Sequence, residues 1–65
     1  MQLTVNGIEV SIHASTLSGL IIEMSLPRHG VAIAVNNEIV PKSLWESYLL
    51  KEASKIEVVT AAAGG

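Results

Sequence analysis

An α+β domain, a small sheet with one helix laid across it, is what this 65-residue chain predicts. Three observations carry the prediction. The opening stretch "MQLTVNGIEVSIH" alternates apolar and polar residues on both sides of Asn6-Gly7. Next, "STLSGLIIEMSL" repeats apolar residues at helical spacing. Finally, "VAIAVNNEIV" and "KIEVVT" return to two-residue alternation. A hairpin and two later strand regions cannot bury their apolar sides on one another, so the single helix must cover them.

In the hairpin, Met1, Leu3 and Val5 share one face, and Ile8, Val10 and Ile12 follow after the turn. Asn6-Gly7 suits a two-residue type I′ turn, which requires positive φ at both positions. Ser15 or Thr16 is the N-cap of the helix, and Leu17, Leu20, Ile21 and Met24 form its apolar stripe. Gly19 weakens it by about 1 kcal/mol relative to Ala. No Glu or Gln stands three residues after Thr16 to complete a capping box, so the helix depends on packing. "PRHG" ends it at Pro27 to Gly30.

The next strand points Val31, Ile33 and Val35 inward. Asn36-Asn37 then reverses the chain before Ile39 and Val40, and Pro41 closes that short strand. "KSLWESYLL" spaces Leu44, Trp45, Tyr48 and Leu49 for a turn or two of helix. Trp45 is expected to be a satellite core residue packing under the last strand rather than a ligand-stacking site. After the polar turn "KEASK", the last strand directs Ile56 and Val58 inward and Glu57 and Val59 outward. This order predicts a β-grasp domain: a mixed sheet of four to five strands under one main helix. Its first and last strands lie side by side and parallel, with the helix as crossover.

Composition narrows the function. Hydrophobic residues make up 49%, and the net charge is −2, from six isolated glutamates against Arg28, Lys42, Lys51 and Lys55. No basic stripe exists to neutralise phosphates, so nucleic acid is not an expected partner. The absence of cysteine removes disulfides and thiolate metal sites and fits the cytoplasm. No apolar run approaches the roughly 20 residues of a membrane span. His13 and His29 fall in different predicted elements, with no acid at helical spacing to join them, and are expected to be exposed rather than metal ligands. The serines lack a Gly-x-Ser-x-Gly elbow, and Gly7, Gly19 and Gly30 stand alone rather than in a phosphate loop. Neither a catalytic residue nor a bound cofactor or metal is expected.

The chain ends in "VVTAAAGG", which divides it into a folded domain, 1–60, and a flexible tail, 61–65. Terminal glycines commonly have no role beyond a solvated end. A glycine pair is also the thinnest and most conformationally free chain that can enter a narrow channel. A terminal carboxylate, with a pKa near 3.5, is an anion at neutral pH and a poor electrophile until activated, for instance by adenylation with ATP. If the tail is such a reactive arm, Gly65 would be the reacting residue, with Gly64 and Ala63 entering the channel. Ala32, Ala34 and Val59 point outward and are less polar than a solvated face needs, which marks them as a partner-docking surface. Scattered exposed apolar residues without function are the alternative.

Several segments together make nearly the whole chain resemble one family. They are "MQLTVNGIEV", Thr16-Leu17 at the helix start, "AVNNEIVP" followed by Trp45, and the terminal Gly64-Gly65. The resemblance is to ThiS, the small ubiquitin-like β-grasp sulfur carriers of thiamine biosynthesis. Lys42 stands where that family often has Arg, and Glu52-Ala53-Ser54 replaces a common Asp-Gly-Asp turn, although Ala tolerates positive φ poorly. The resemblance implies a monomeric protein cosubstrate. An adenylating enzyme related to ubiquitin-activating enzymes would activate Gly65 with ATP. A persulfide from a cysteine desulfurase or rhodanese-type donor would displace AMP to leave a thiocarboxylate, and thiazole synthase would take the sulfur. A carrier for molybdopterin synthesis, a ubiquitin-like modifier and a plain interaction module are the alternatives.

Overall fold

Alternation around Asn6-Gly7 folds as expected. In the computed structural model of the chain, which describes residues 1–60, strands β1 (Gln2–Val5) and β2 (Ile8–Ser11) pair antiparallel with Leu3 opposite Val10 and Val5 opposite Ile8. Asn6 and Gly7 have φ of 52° and 81°, the two positive values of a type I′ turn. Leu3 and Val5 are buried. Ile8 is not, at 68% exposed, although its pairing with Val5 puts it on the same face. It stands beside the turn on an outer strand of the sheet, where no described residue covers it.

Helix α1 (Leu17–Glu23) starts at Thr16, whose Oγ1 accepts the Gly19 amide N–H at 3.1 Å. The capping box is replaced by a tertiary solution. The Leu17 N–H donates to the Tyr48 carbonyl and the Ser18 N–H to the Trp45 carbonyl, both at 3.0 Å, so a distant segment satisfies the donors that a helix start leaves open. Gly19 is a packing requirement rather than a defect. A Cβ there would meet the Ala14 Cβ at 2.9 Å.

The helix also ends earlier than Pro27. Ser25 takes φ 55°, its N–H donates to the Ile22 carbonyl, and the Leu26 N–H donates to the Ile21 carbonyl at 2.9 Å. These two bonds form a Schellman ending, with a serine where glycine is usual.

Strand β3 (Val31–Val35) turns through Asn36 and Asn37, φ 51° and 72°, into the two-residue β4 (Glu38–Ile39). This is a second type I′ hairpin. The expected helical turn after Pro41 is a short 3-10 turn, Lys42–Leu44. Its apolar residues do not share a face: Trp45 and Leu50 are buried, while Leu44 and Leu49 are exposed. Here the chain is shaped by capping α1 with its Trp45 and Tyr48 carbonyls, and by the Leu50 N–H donating to the Ser15 carbonyl just before the helix, rather than by a helical repeat of its own. Strand β5 (Lys55–Thr60) completes a five-stranded sheet in the order β2-β1-β5-β3-β4, with β5 parallel to β1 and antiparallel to β3. The β-grasp topology is therefore present, with the first and last strands adjacent and parallel. Leu17, Leu20 and Ile21 of α1 meet Leu3, Ile33, Val35 and Ile56 of the sheet in one core.

The turn before β5 is stitched to β1. The Ala53 N–H donates to the Gln2 carbonyl, the Thr4 N–H to the Ser54 carbonyl, and the Gln2 N–H to Glu52 Oε2. Buried Ser54 closes it by donating its hydroxyl to the Lys51 carbonyl at 2.6 Å. Ala53 has φ 66°, the left-handed conformation that the resemblance would give to a glycine. A Cβ in that region costs about 1 kcal/mol or more, so Ala53→Gly should stabilise the domain by about 0.5 to 1 kcal/mol after the entropic cost of glycine. Urea denaturation should show a higher midpoint at unchanged slope.

Candidate docking face and tail exit

Gly65, Gly64 and Ala63 lie outside the described residues. What the structure places is the end of the strand that precedes them. Strand β5 occupies the centre of the sheet, and Thr60, its last residue, pairs with Val31 at the start of β3.

Both hairpin turns grip this central strand. Asn6 Oδ1 accepts the Val58 N–H at 2.8 Å, Asn6 Nδ2 donates to the Val58 carbonyl at 3.2 Å, and the Asn6 backbone N–H donates to the Ile56 carbonyl at 2.9 Å. The Asn6 side chain thus continues the parallel ladder past the end of β1. On the other side, Asn36 Oδ1 accepts the Lys55 N–H at 2.9 Å, and the Asn36 N–H donates to the Lys55 carbonyl. Asparagine combines tolerance of positive φ with an amide that can both donate and accept. Turn chemistry identified these residues as turn formers only. Their second role has one sequence signal, the choice of Asn rather than Gly at the first position of both turns.

The sheet face turned away from α1 follows from strand register. Ala32 lies opposite Val59, and Ala34 lies between Glu57 on β5 and Ile39 on β4. Val59 is 62% exposed, Ala32 is exposed and Ala34 half-buried. Ile39, 67% exposed, joins them and was not anticipated. A two-residue turn at Asn36-Asn37 requires position 39 to pair with 34, so the signal was there. Toward β2 the same face becomes polar, with Thr4 opposite Glu9 and Gln2 opposite Ser11. Ala32, Ala34, Ile39 and Val59 therefore form an apolar patch on one half of the outer face, with the Glu57 side chain beside Ala34 at its edge, and it includes the strand that leads to the tail.

His13 and His29 are both exposed, as expected. The first has an unforeseen acidic neighbour. Glu23 accepts the His13 N–H with both carboxylate oxygens, at 2.9 and 3.0 Å, and the Ala14 N–H at 2.8 Å, with His13 Nδ1 3.3 Å away. Donation from the His13 backbone chiefly holds the Glu23 carboxyl below its ordinary pKa. The resulting stabilisation is complete above the carboxyl's unfolded pKa and fades as pH falls through the lowered folded value. This contact ties the segment after β2 to the end of α1.

A family model described as the ThiS family matches residues 3–65. A thiazole synthase from Paramagnetospirillum magneticum is 36% identical over 66 residues that include all of this chain, and the chain spans 20% of the length of that relative. The crystal structure of the thiamine biosynthesis protein ThiS from Geobacter metallireducens superposes with a TM-score of 0.86 at 20% identity, over 100% of both chains. An NMR solution structure of a thiamine biosynthesis protein from the same organism gives 0.78 at 20% identity, over 100% of this chain and 88% of the other. At that identity the structural matches establish the fold.

Proposed function

The chain belongs to the ThiS family, and from that premise we propose that it is a sulfur carrier in thiamine biosynthesis, a protein cosubstrate rather than an enzyme. The observation that carries this is the extent of the family match, which runs along the β-grasp body and takes in the final Gly64-Gly65. The Gly65 carboxylate attacks the α-phosphorus of ATP on an adenylating enzyme, releasing pyrophosphate and forming an acyl-adenylate. A persulfide sulfur, supplied by a cysteine desulfurase or rhodanese-type donor, then attacks the acyl carbon and AMP leaves. A thiol cleaves the resulting sulfur–sulfur bond, which leaves the thiocarboxylate on Gly65 and a disulfide elsewhere. Thiazole synthase is the acceptor. A relative of that name that contains a segment similar to this chain as a fifth of its length supports the pairing.

The carrier works as a cytoplasmic monomer, with residues 1–60 as the body and 61–65 as the reactive arm. Among the described residues no helix is long and apolar enough to cross a membrane. Docking falls to Ala32, Ala34 and Val59, with Ile39 as their extension, because this patch lies on the strands beside the tail exit.

Incubation with ATP, the adenylating enzyme and a persulfide donor should give the mass of a carboxylate in which one oxygen is replaced by sulfur. In the same assay, Ala34→Glu combined with Val59→Glu should raise KM for the carrier about tenfold or more by placing charge in the apolar contact. Its melting temperature should stay within a few degrees of wild type. Unaltered KM would assign docking to another surface, and absence of the mass change in wild-type protein would refute the carrier function.

A further inference from the structure

On the helix side of the domain lies a half-open cleft of about 270 Å³. Ile21 and Trp45 line it from the core, Ser18 and Ser43 contribute hydroxyls, and Arg28 and Lys42 bring positive charge. Those two are half of the chain's four Lys and Arg residues, gathered in a protein of net charge −2. Among the described residues the one ion pair is His13 with Glu23, so neither cation is neutralised, and Glu46 lines the cleft without pairing to them. Lys42 Nζ instead lies 3.4 Å from His29 Nδ1, within hydrogen-bond reach of the ring nitrogen.

Position gives this charge a meaning. Arg28 and His29 belong to the segment that leads into β3, and Val31 pairs with Thr60, the last described residue before the tail. Lys42 follows Ile39, the end of the β4 edge strand, by three residues. A partner that draws the tail into a channel must bring the channel's rim against this end of the domain. The cleft is smaller than the roughly 300 to 1,000 Å³ of small-molecule sites and is open to solvent, which suits side chains presented by another protein surface.

The geometry points to this cleft as the receptor for an acidic segment, Asp or Glu side chains, at the rim of the adenylating enzyme's channel. The inference rests on the carrier function proposed above. Arg28 and Lys42 supply the charge-assisted hydrogen bonds, Ser18 and Ser43 the neutral donors, and the contact acts mainly on encounter and orientation.

The test is ATP-dependent thiocarboxylation of the full chain by its own adenylating enzyme, with carrier concentration varied. Arg28→Glu with Lys42→Glu should raise KM about tenfold or more and leave kcat within about twofold, because the reacting carboxylate is untouched. The milder Arg28→Gln with Lys42→Gln, which keeps side-chain length, should shift KM in the same direction. Arg28→Lys with Lys42→Arg should restore wild-type KM. Raising salt should weaken the wild type more than either neutral or acidic variant. An unchanged KM in both pairs, with wild type turned over normally, overturns the cleft and leaves the carrier function standing. Wild type that is not turned over at all overturns both. Saturable amide shifts at Ser18 and Ser43 on adding inorganic phosphate to the free protein, at constant ionic strength, would make this a small-anion site and overturn the proposal.

Discussion

Trp45→Ala should leave the protein largely unfolded at room temperature. Trp45 is 5% exposed and belongs to the central core. Its Nε1 donates to the Val40 carbonyl at 2.9 Å, and its own carbonyl accepts the Ser18 N–H at the start of α1. Truncating a buried Trp costs about 3 to 5 kcal/mol. A domain of this length has roughly 3 to 10 kcal/mol of total stability, so the loss is comparable to the whole. The side chain also sets the segment whose Tyr48 and Trp45 carbonyls cap the helix, so the cavity and the lost cap act on the same element. Far-UV circular dichroism against urea gives the measurement, with wild-type Trp emission well to the blue of free indole as a check on burial. A cost under about 1 kcal/mol, or emission like indole in water, would contradict this packing.

Removing Gly64 and Gly65 should have the opposite profile. Thiocarboxylate formation should fall to background, because the carboxylate then sits two residues short of the adenylating site and on an alanine rather than on the thin glycine pair. Stability should be unchanged within error. The described core and the described hydrogen bonds of β5 are made by residues 1–60, and the deleted residues carry no side chain to bury. Urea denaturation and the thiocarboxylation assay on one preparation separate the two effects. A large fall in stability, or a product that forms as before, would remove the division into body and reactive arm.

What was legible in the sequence was whatever local rules decide. Asn6-Gly7 and Asn36-Asn37 announced their turns, Ser15-Thr16 the helix cap to within one residue, and the alternation of Ile56 to Val59 its two faces. The parallel pairing of β1 with β5 followed from the usual topology of the β-grasp, to which a single helix covering one apolar face pointed. Long-range contacts were not legible. Asn6 reaches Val58 across 52 residues, signalled only by the choice of Asn over Gly at the turn, and Glu23 binds the His13 and Ala14 amides from the far end of α1, with nothing nearby to announce it. Leu44 and Leu49 misled because helical spacing implies a shared face only when the segment is a helix. There the backbone instead spends its carbonyls on α1. Ser25 carried no glycine signature, so the early end of the helix was hidden. On the outer face, Ala32, Ala34 and Val59 were readable from alternation, while Ile39 needed the hairpin register as well.

The measurement that bears most directly on the central claim is growth. The thiocarboxylate is the same group in either sulfur pathway, so the acceptor's fit to the body of the domain must decide specificity. Expressed in a host that lacks its own thiazole sulfur carrier, this protein should restore growth without added thiamine, and the form lacking Gly64 and Gly65 should not. In a host lacking the molybdopterin sulfur carrier, it should leave molybdenum-enzyme activity absent. Rescue of the second host without rescue of the first would contradict the assignment to thiamine biosynthesis.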